Sequence, residues 1–304
     1  MSTATIDPQS LQTSTPTTTV RVRTTKRHGP KWGPARIGAL VVLIVLAVSW
    51  LLPILWAIDT SLKSETDAAA AQQSWIPAGG FTIDAYVKVL TQGQIPVWIW
   101  NSLFTSVVVT LVTVILSTLA AYAFSRLDFS GRKWLYAAII GSIMVPPQVL
   151  IIPLFYEMLA MNLVDTYLGI ILPQVIAPAM VFILKQFFDQ IPVELEEAAR
   201  VDGAGRLRVF FTIVLPLSRP ILAAVAIFVF IGAWNNFLWP FLVTNQANLM
   251  TLPVGLQTVK SAFGIQYAQN MATAMLAAAP LIIVFLFFQR QIIKGIATTG
   301  FGGQ

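Results

Sequence analysis

Residues 100–124 read WNSLFTSVVVTLVTVILSTLAAYAF, a run without Asp, Glu, Lys or Arg. A bilayer core of about 30 Å is crossed by roughly 20 helical residues, so an apolar run of this length reads as a membrane span. Residues 38–58, 134–156, 166–184, 220–243 and 271–288 meet the same test and are equally free of charge. The segments between them are polar or rich in turn formers, as in Asp128-Phe129-Ser130-Gly131-Arg132-Lys133. The expected fold is an all-α integral membrane protein with six transmembrane helices. Residues 1–36 are expected to be a disordered, basic cytoplasmic tail, and 37–304 a six-helix domain.

Composition supports this and removes several functions. Of the 304 residues, 56% are hydrophobic and only 11% charged. A soluble domain carries about 25% charged residues, and the mean hydropathy here is +0.74. Cysteine is absent, which excludes disulfides, thiolate nucleophiles and cysteine metal sites. The one histidine, His28, lies in the polar tail, so no histidine cluster is available for a metal or a catalytic triad.

The first span differs from a secretory signal, whose apolar core is about 7–15 residues and ends at a small-residue cleavage site. Its run is longer, follows a long polar stretch and ends in Trp56-Ala57-Ile58-Asp59. It is expected to be a retained anchor. The tail before it, rich in Ser, Thr and Pro through Thr19, has too little apolar surface to fold.

Topology follows from the basic residues. With the N-terminus inside, 16 of the 19 Lys and Arg fall on inside segments, leaving only Lys63, Lys88 and Lys260 outside. This asymmetry predicts both termini in the cytoplasm. The net charge of +6 is thus mainly a topology signal, and its scatter over four short segments argues against nucleic-acid binding.

Carriers driven by protons or sodium usually keep ionisable side chains inside the membrane, and many are built from repeated halves. These spans have no such charges and no repeat is seen, so an ion-coupled secondary carrier is the weaker alternative. An intramembrane enzyme would need ionisable groups that the spans lack. The chain also has no G-x-x-x-x-G-K-[ST] phosphate loop. The terminal Gly300-Phe301-Gly302-Gly303-Gln304 has no soluble domain around it and reads as a flexible tail. Either the chain is a passive pore or structural subunit, or its energy arrives from elsewhere.

The inside segment 185–219 is patterned as a device. Pro192 suits a first helical position, Glu194, Glu196 and Glu197 favour the positive end of a helix dipole, and Gly203 supplies a stop. At 100° per residue Leu195, Ala198, Ala199 and Asp202 share one face, with Glu196, Glu197 and Arg200 towards the other. Glu196 and Arg200 read as an i,i+4 surface pair. Beyond Gly203-Ala204-Gly205, the residues Leu207, Phe210, Phe211 and Val214 recur at helical spacing. Two readings fit: a small-residue face that docks closely on a protein partner, or an amphipathic helix resting on lipid.

Glu197-Ala198-Ala199, then Gly203 after three residues, then Ile213-Val214-Leu215-Pro216 after nine, resembles the EAA loop of membrane subunits of ATP-binding cassette importers. The carbohydrate branch, of the maltose-permease type, is similar also in Asp202-Gly203-Ala204, Asn101-Ser102-Leu103, Ala121-Tyr122-Ala123 and Trp234-Asn235-Asn236-Phe237-Leu238-Trp239-Pro240. Further similarity lies in Thr251-Leu252-Pro253-Val254-Gly255-Leu256 and in Phe288-Gln289-Arg290 with Lys294-Gly295. The family core falls at about 100–292 and the EAA loop at 189–217, between spans four and five. Asn236, where an acidic residue is expected, and the long basic tail depart from the pattern.

The resemblance implies a non-catalytic subunit in a bacterial cell membrane, forming half of a sugar pathway. Its implied partners are a second homologous permease, a dimer of cytoplasmic ATP-binding subunits, an extracytoplasmic solute-binding protein, the sugar and the lipid bilayer. ATP and Mg would be held by the ATPase, with no cofactor or metal in this chain. Glu197 would meet a basic residue of the ATPase, Ala198 and Ala199 would permit close packing, and Gly203 would make the turn. Asp202, Ile213, Leu215 and Pro216 complete the coupling set.

Trp234, Asn235, Asn236 and Trp239 combine aromatic faces with amides and could line a sugar path, although Trp is equally expected at membrane interfaces. Asn101, Gln148 and Gln174 read as interhelical hydrogen-bonding residues. Pro146-Pro147, Pro153, Pro173 and Pro178 are expected to break helices three and four, and broken helices can line a cavity. Residues 81–86 are a candidate contact for the solute-binding protein.

Overall fold

The computed structural model describes residues 33–70, 74–91, 93–262 and 266–300, all helix, turn or loop with no strand among them. The tail at 1–32 and the terminal Phe301-Gly302-Gly303-Gln304 lie outside the described residues. Two units are distinguished, 1–51 and 52–304, divided within helix α1 (Pro34–Ser61). In the first unit the helix exposes Val41, Val42, Leu43 and Val45, an apolar surface suited to lipid rather than water.

The second unit opens with the end of α1 and the short α2 (Glu65–Ala68) and α3 (Asp84–Thr91), which precede the long α4 (Ile95–Arg126). Then come α5 (Arg132–Ile143), a 3₁₀ turn leading into α6 (Ile151–Ala160), α7 (Tyr167–Ile171) and α8 (Pro178–Phe188). The patterned loop forms α9 (Val193–Val201), α10 (Arg206–Val209) and α11 (Leu215–Leu217), the last two joined by a π-helical turn, Phe210–Val214. The chain closes with α12 (Arg219–Trp234), α13 (Leu238–Val243), α14 (Leu252–Ala262) and α15 (Tyr267–Gly300).

Three described helices are long and apolar enough to cross a membrane alone: Ile37–Ser61, Ile95–Arg126 and Tyr267–Gln289. Three more candidates are bent pairs: Arg132–Ile143 with Pro147–Ala160 at 97°, Tyr167–Gln174 with Pro178–Phe188 at 46°, and Arg206–Leu217 with Arg219–Trp234 at 76°. Spans three to five are therefore not the continuous helices that apolar run length suggests. Pro147 and Pro178 each open the second helix of their pair, since the residue before proline is pushed out of the α region. The stretch 220–243 is also interrupted, at Asn235-Asn236-Phe237, between α12 and α13.

Helix α4 shows why these elements assemble in lipid. Its exposed side carries Leu103, Val107, Leu111, Ile115 and Leu119, while its buried side carries Ser102, Ser106, Thr113, Ser117 and Ala121. That is the reverse of a water-soluble helix. Lipid tails are as apolar as leucine, so association relies on small residues that let backbones approach. The hydroxyls turn back on the helix, as in Thr110 Oγ1 donating to the Ser106 carbonyl at 2.6 Å. Against this face pack α8 and α12, with Phe188, Leu184, Phe210, Val214 and Val225 buried around Ala121 and Tyr122.

Candidate functional site

Helix α9 is capped at its C-terminus by a Schellman motif. Gly203 adopts φ +83°, its N–H donates to the Arg200 carbonyl at 3.0 Å, and Ala204 N–H donates to the Ala199 carbonyl at 2.9 Å. The helix starts at Val193, with Pro192 as the residue before it rather than its first turn. The break at Gly203 releases the chain into α10 and the π turn. That wide turn precedes Pro216, which has no N–H to close the usual bond to Thr212.

The acidic residues of α9 divide differently from the helical-wheel expectation. Glu197 and Ala198 are exposed, together with Glu194, Val201 and Asp202, and Ala199 is half-buried. Glu196 is 1% exposed. Its Oε1 lies 2.6 Å from Nε of Arg126, and its Oε2 lies 3.8 Å from Nη2 of Arg200. The expected Glu196–Arg200 surface pair is thus secondary to a buried pair formed with the last residue of α4. Arg126 Nη2 also donates to the carbonyls of Phe188 (2.7 Å), the last residue of α8, and Ile191 (2.6 Å), in the turn that follows it. Ile213 and Leu215 are half-buried and Pro216 exposed on the segment that follows.

A second locus lies where three helix breaks meet. A cavity of about 420 Å³, within the usual range for small-molecule sites, is lined by Pro147 and Gln148, by Gln174 and Ala177, and by Asn236 and Trp239. Its lining holds no charged side chain. Asn236 Nδ2 donates to Gln174 Oε1 at 2.7 Å, and Trp239 Nε1 donates to the Gly169 carbonyl at 3.0 Å. Thr113 Oγ1 of α4 donates to the Val175 carbonyl within the break, at 3.2 Å.

The suggested sugar-path quartet is divided by this geometry. Asn236 and Trp239 line the cavity, whereas Trp234 is buried in a separate core cluster, stacked on Phe230, with Nε1 donating to the Ala277 carbonyl. Asn235 donates to the Ile231 carbonyl of its own helix. Adjacent residues part here because α12 ends at Trp234 and the next helix begins only at Leu238. Gln174 makes the interhelical bond expected of it, to Asn236, and both Gln148 and Gln174 lie in the cavity wall.

At the Ile95 end of α4, Asn101 is fully buried, donates to the carbonyls of Asn248 and Met250, and accepts from the Tyr167 hydroxyl at 2.6 Å. Ser102 Oγ accepts from Leu252 N–H, and Trp98 Nε1 donates to the Ala247 carbonyl. Asp165, at φ +57°, accepts from the N–H groups of Asn245 and Gln246. The Asn245 bond foremost, then that from Gln246, holds the Asp165 carboxyl below the ordinary 3.8, outweighing partial desolvation. A depressed carboxylate stabilises the clip above its unfolded pKa and loses that stabilisation as pH falls through the folded value. Hydrogen exchange at Asn245 and Gln246, corrected for intrinsic rates, is expected to show protection at pH 6 and its loss in strong acid, as pH falls through the lowered Asp165 value. Exchange that is equally slow under both conditions would contradict the clip.

Residues 113–298 match the family model described as binding-protein-dependent transport system inner membrane component. The chain is 32% identical to the arabinooligosaccharides transport system permease protein AraQ of Bacillus subtilis, over 91% of this chain and 99% of the relative. It is 34% identical to the trehalose/maltose transport system permease protein MalG of Thermococcus litoralis, over 88% and 98% respectively. The fold is similar to a chain in the crystal structure of a bacterial ABC transporter involved in alginate import, with a TM-score of 0.76, 22% identity and coverage of 86% of this chain and 99% of that one.

Proposed function

The chain belongs to the family of binding-protein-dependent transport system inner membrane components, and we propose that it is half of the membrane pathway of an ATP-driven importer of uncharged saccharides. It is a multi-pass membrane transport subunit of the ABC-permease class and not an enzyme, its energy coming from a separate ATPase. The observation that carries the coupling role is the exposed Glu197–Ala198 surface of α9, presented on a helix that is anchored from behind by a buried ion pair.

In this reading six spans cross the bilayer, three of them bent, with both termini cytoplasmic. The α9 surface docks on a cytoplasmic ATPase dimer: Glu197 faces a basic side chain there, Ala198 and Ala199 allow close approach, and the Gly203 turn fixes the exit angle. Asp202 edges the same surface, and Ile213, Leu215 and Pro216 carry the loop back to the membrane. ATP and Mg are held by the ATPase. Closure of that dimer on ATP shifts the membrane subunits towards an outward-facing state, which requires the dimer to bind that state more tightly. A second, homologous permease completes the pathway, and an extracytoplasmic binding protein delivers the solute, with the exposed Phe81 and Ile83 near one of its contacts.

The amides of Gln148, Gln174 and Asn236 and the Trp239 ring support passage of a sugar through the cavity at the helix breaks. Amides exchange hydrogen bonds with hydroxyls, and the lining has no cation for a phosphate or carboxylate. The names of AraQ and MalG, for arabinooligosaccharide and trehalose/maltose transport, support a saccharide cargo, whereas UgpE of Brucella abortus is named for sn-glycerol-3-phosphate, so the absence of charge rests on the lining alone.

The deciding experiment co-purifies the chain with the products of neighbouring genes and measures ATP hydrolysis in lipid discs, with and without candidate saccharides and binding protein. Saccharide-stimulated hydrolysis is expected, and a complex without any ATPase would refute the coupling role. Orientation has its own test, helped by the absence of native cysteine. A membrane-impermeant maleimide should label Ser74→Cys in intact cells and leave Ser130→Cys unlabelled until the membrane is opened. The opposite pattern would invert the topology.

A further inference from the structure

Coupling needs more than a docking surface, because force applied to α9 must reach the helices that line the pathway. Glu196 is at the back of that surface, buried and paired within the chain. Its counterion, Arg126, is the last residue of α4, a 32-residue helix. One guanidinium therefore joins three elements: α4 that carries it, α9 through Glu196, and the end of α8 through the carbonyls of Phe188 and Ile191.

Along its length α4 meets both other features of the molecule. At Thr113 it holds the Val175 carbonyl inside the α7–α8 break that lines the cavity. At its far end Trp98, Asn101 and Ser102 pin the segment from Ala247 to Leu252. A helix is a stiff rod of 1.5 Å per residue, so α4 spans about 48 Å between these ends. By contrast, the covalent route from α9 to α12 runs through the Gly203 turn and the π turn, the two least regular backbone segments of the loop.

We propose that Arg126 and Glu196 are positioning residues for coupling: their buried ion pair transmits movement of α9 into α4, and through α4 to the cavity. The inference rests on the proposed docking of α9, and the test separates the two. Glu194, Glu197, Ala198, Val201 and Asp202 form the outer face, so removing the charge of Glu196 leaves the docking surface chemically unchanged.

The test uses the whole complex in proteoliposomes and reads transport per ATP hydrolysed beside complex yield. Wild type establishes the docking itself; if no ATPase associates with it, the functional reading fails and not the link. With wild type coupled, Glu196→Gln is expected to assemble but to transport at least about tenfold less per ATP, because the guanidinium loses its buried counter-charge. The exchange Arg126→Glu with Glu196→Arg is expected to recover transport per ATP to within about threefold of wild type. A purely structural role would lower yield and thermal stability while leaving transport per ATP unchanged. Should Glu196→Gln fail to assemble, Glu196→Asp is read instead, keeping the charge one methylene short. A wild-type ratio in the assembled single variant, or a double exchange that assembles yet stays as uncoupled as the single variant, overturns the proposal.

Discussion

Glu197→Lys is expected to abolish solute uptake while leaving membrane insertion and the fold intact. Glu197 is exposed on α9, and among the described residues no side-chain hydrogen bond or ion pair falls on it, so the folded subunit gives up little when it is replaced. Surface substitutions of that kind usually stay within about 0.5 kcal/mol. Its effect lies between subunits. A carboxylate that meets a basic side chain across a tightly packed interface, once reversed, exchanges attraction for repulsion, which costs several kcal/mol in complexes where such pairs are desolvated. At about 1.4 kcal/mol per tenfold, a loss of 3 kcal/mol weakens association by a factor above 100. The purified variant should therefore show a normal melting profile alone and lose its ATPase on size exclusion. Uptake equal to wild type would remove Glu197 from the coupling surface. Glu196 makes the internal contrast: one residue away, the same side chain sits behind the helix and is expected to change coupling without releasing the partner.

That contrast also marks where sequence stops being sufficient. A wheel drawn for α9 places Glu196 and Glu197 on neighbouring positions 100° apart, and nothing local distinguishes them. What separates them is Arg126, 70 positions away at the end of α4, and no periodicity reports that approach. The all-helical, membrane-spanning character was legible because apolar run length is a one-dimensional property, and three described helices meet it alone; so was the Gly203 stop, which the backbone realises at φ +83°. Helix breaks were legible only where proline forces them. Pro147 and Pro178 start new helices, but the interruption at Asn235-Asn236-Phe237 contains no proline, so an apolar window runs through it. For the same reason Trp234 and Trp239 looked like one aromatic pair on the page and lie in different clusters in the fold. The cavity could not be foreseen as a unit, because its amides come from three breaks that only tertiary packing brings together. Asp165 carried a faint local signal, since Asp tolerates left-handed backbone, but its partners Asn245 and Gln246 are distant in sequence.

Gly169→Ala is expected to be the most damaging small substitution near the cavity. Gly169 lies in α7, and a methyl group placed there would stand 2.1 Å from the carbonyl oxygen of Leu163, 3.0 Å from its carbon and 3.3 Å from Val243 Cγ2. The nearest obstacle is backbone, so no rotamer change relieves it. The helix is not free to slide away either. Gly169 N–H donates to Thr166 Oγ1 at 3.1 Å, the Gly169 carbonyl accepts from Trp239 Nε1, and the same Leu163 carbonyl accepts from Thr166 Oγ1 at 2.7 Å. Relief must come from moving α7 away from the segment at Leu163, which stretches the Trp239 contact on the cavity wall. Overpacking a close backbone contact costs about 1–3 kcal/mol, and the upper end fits a clash against a carbonyl held by other bonds. For a domain of this size about 3 kcal/mol corresponds to a fall in melting temperature of several degrees. Gly141 in α5 supplies the control: a methyl group there meets nothing within 4 Å, and alanine is the better helix former, so Gly141→Ala should leave the melting temperature unchanged or raise it. Both variants can be melted in detergent with tryptophan fluorescence as the probe. Gly169→Ala should also shift the emission as Trp239 loses its buried hydrogen bond. A Gly169→Ala protein that melts with Gly141→Ala and with wild type would mean that α7 and the Leu163 turn are not in contact as described.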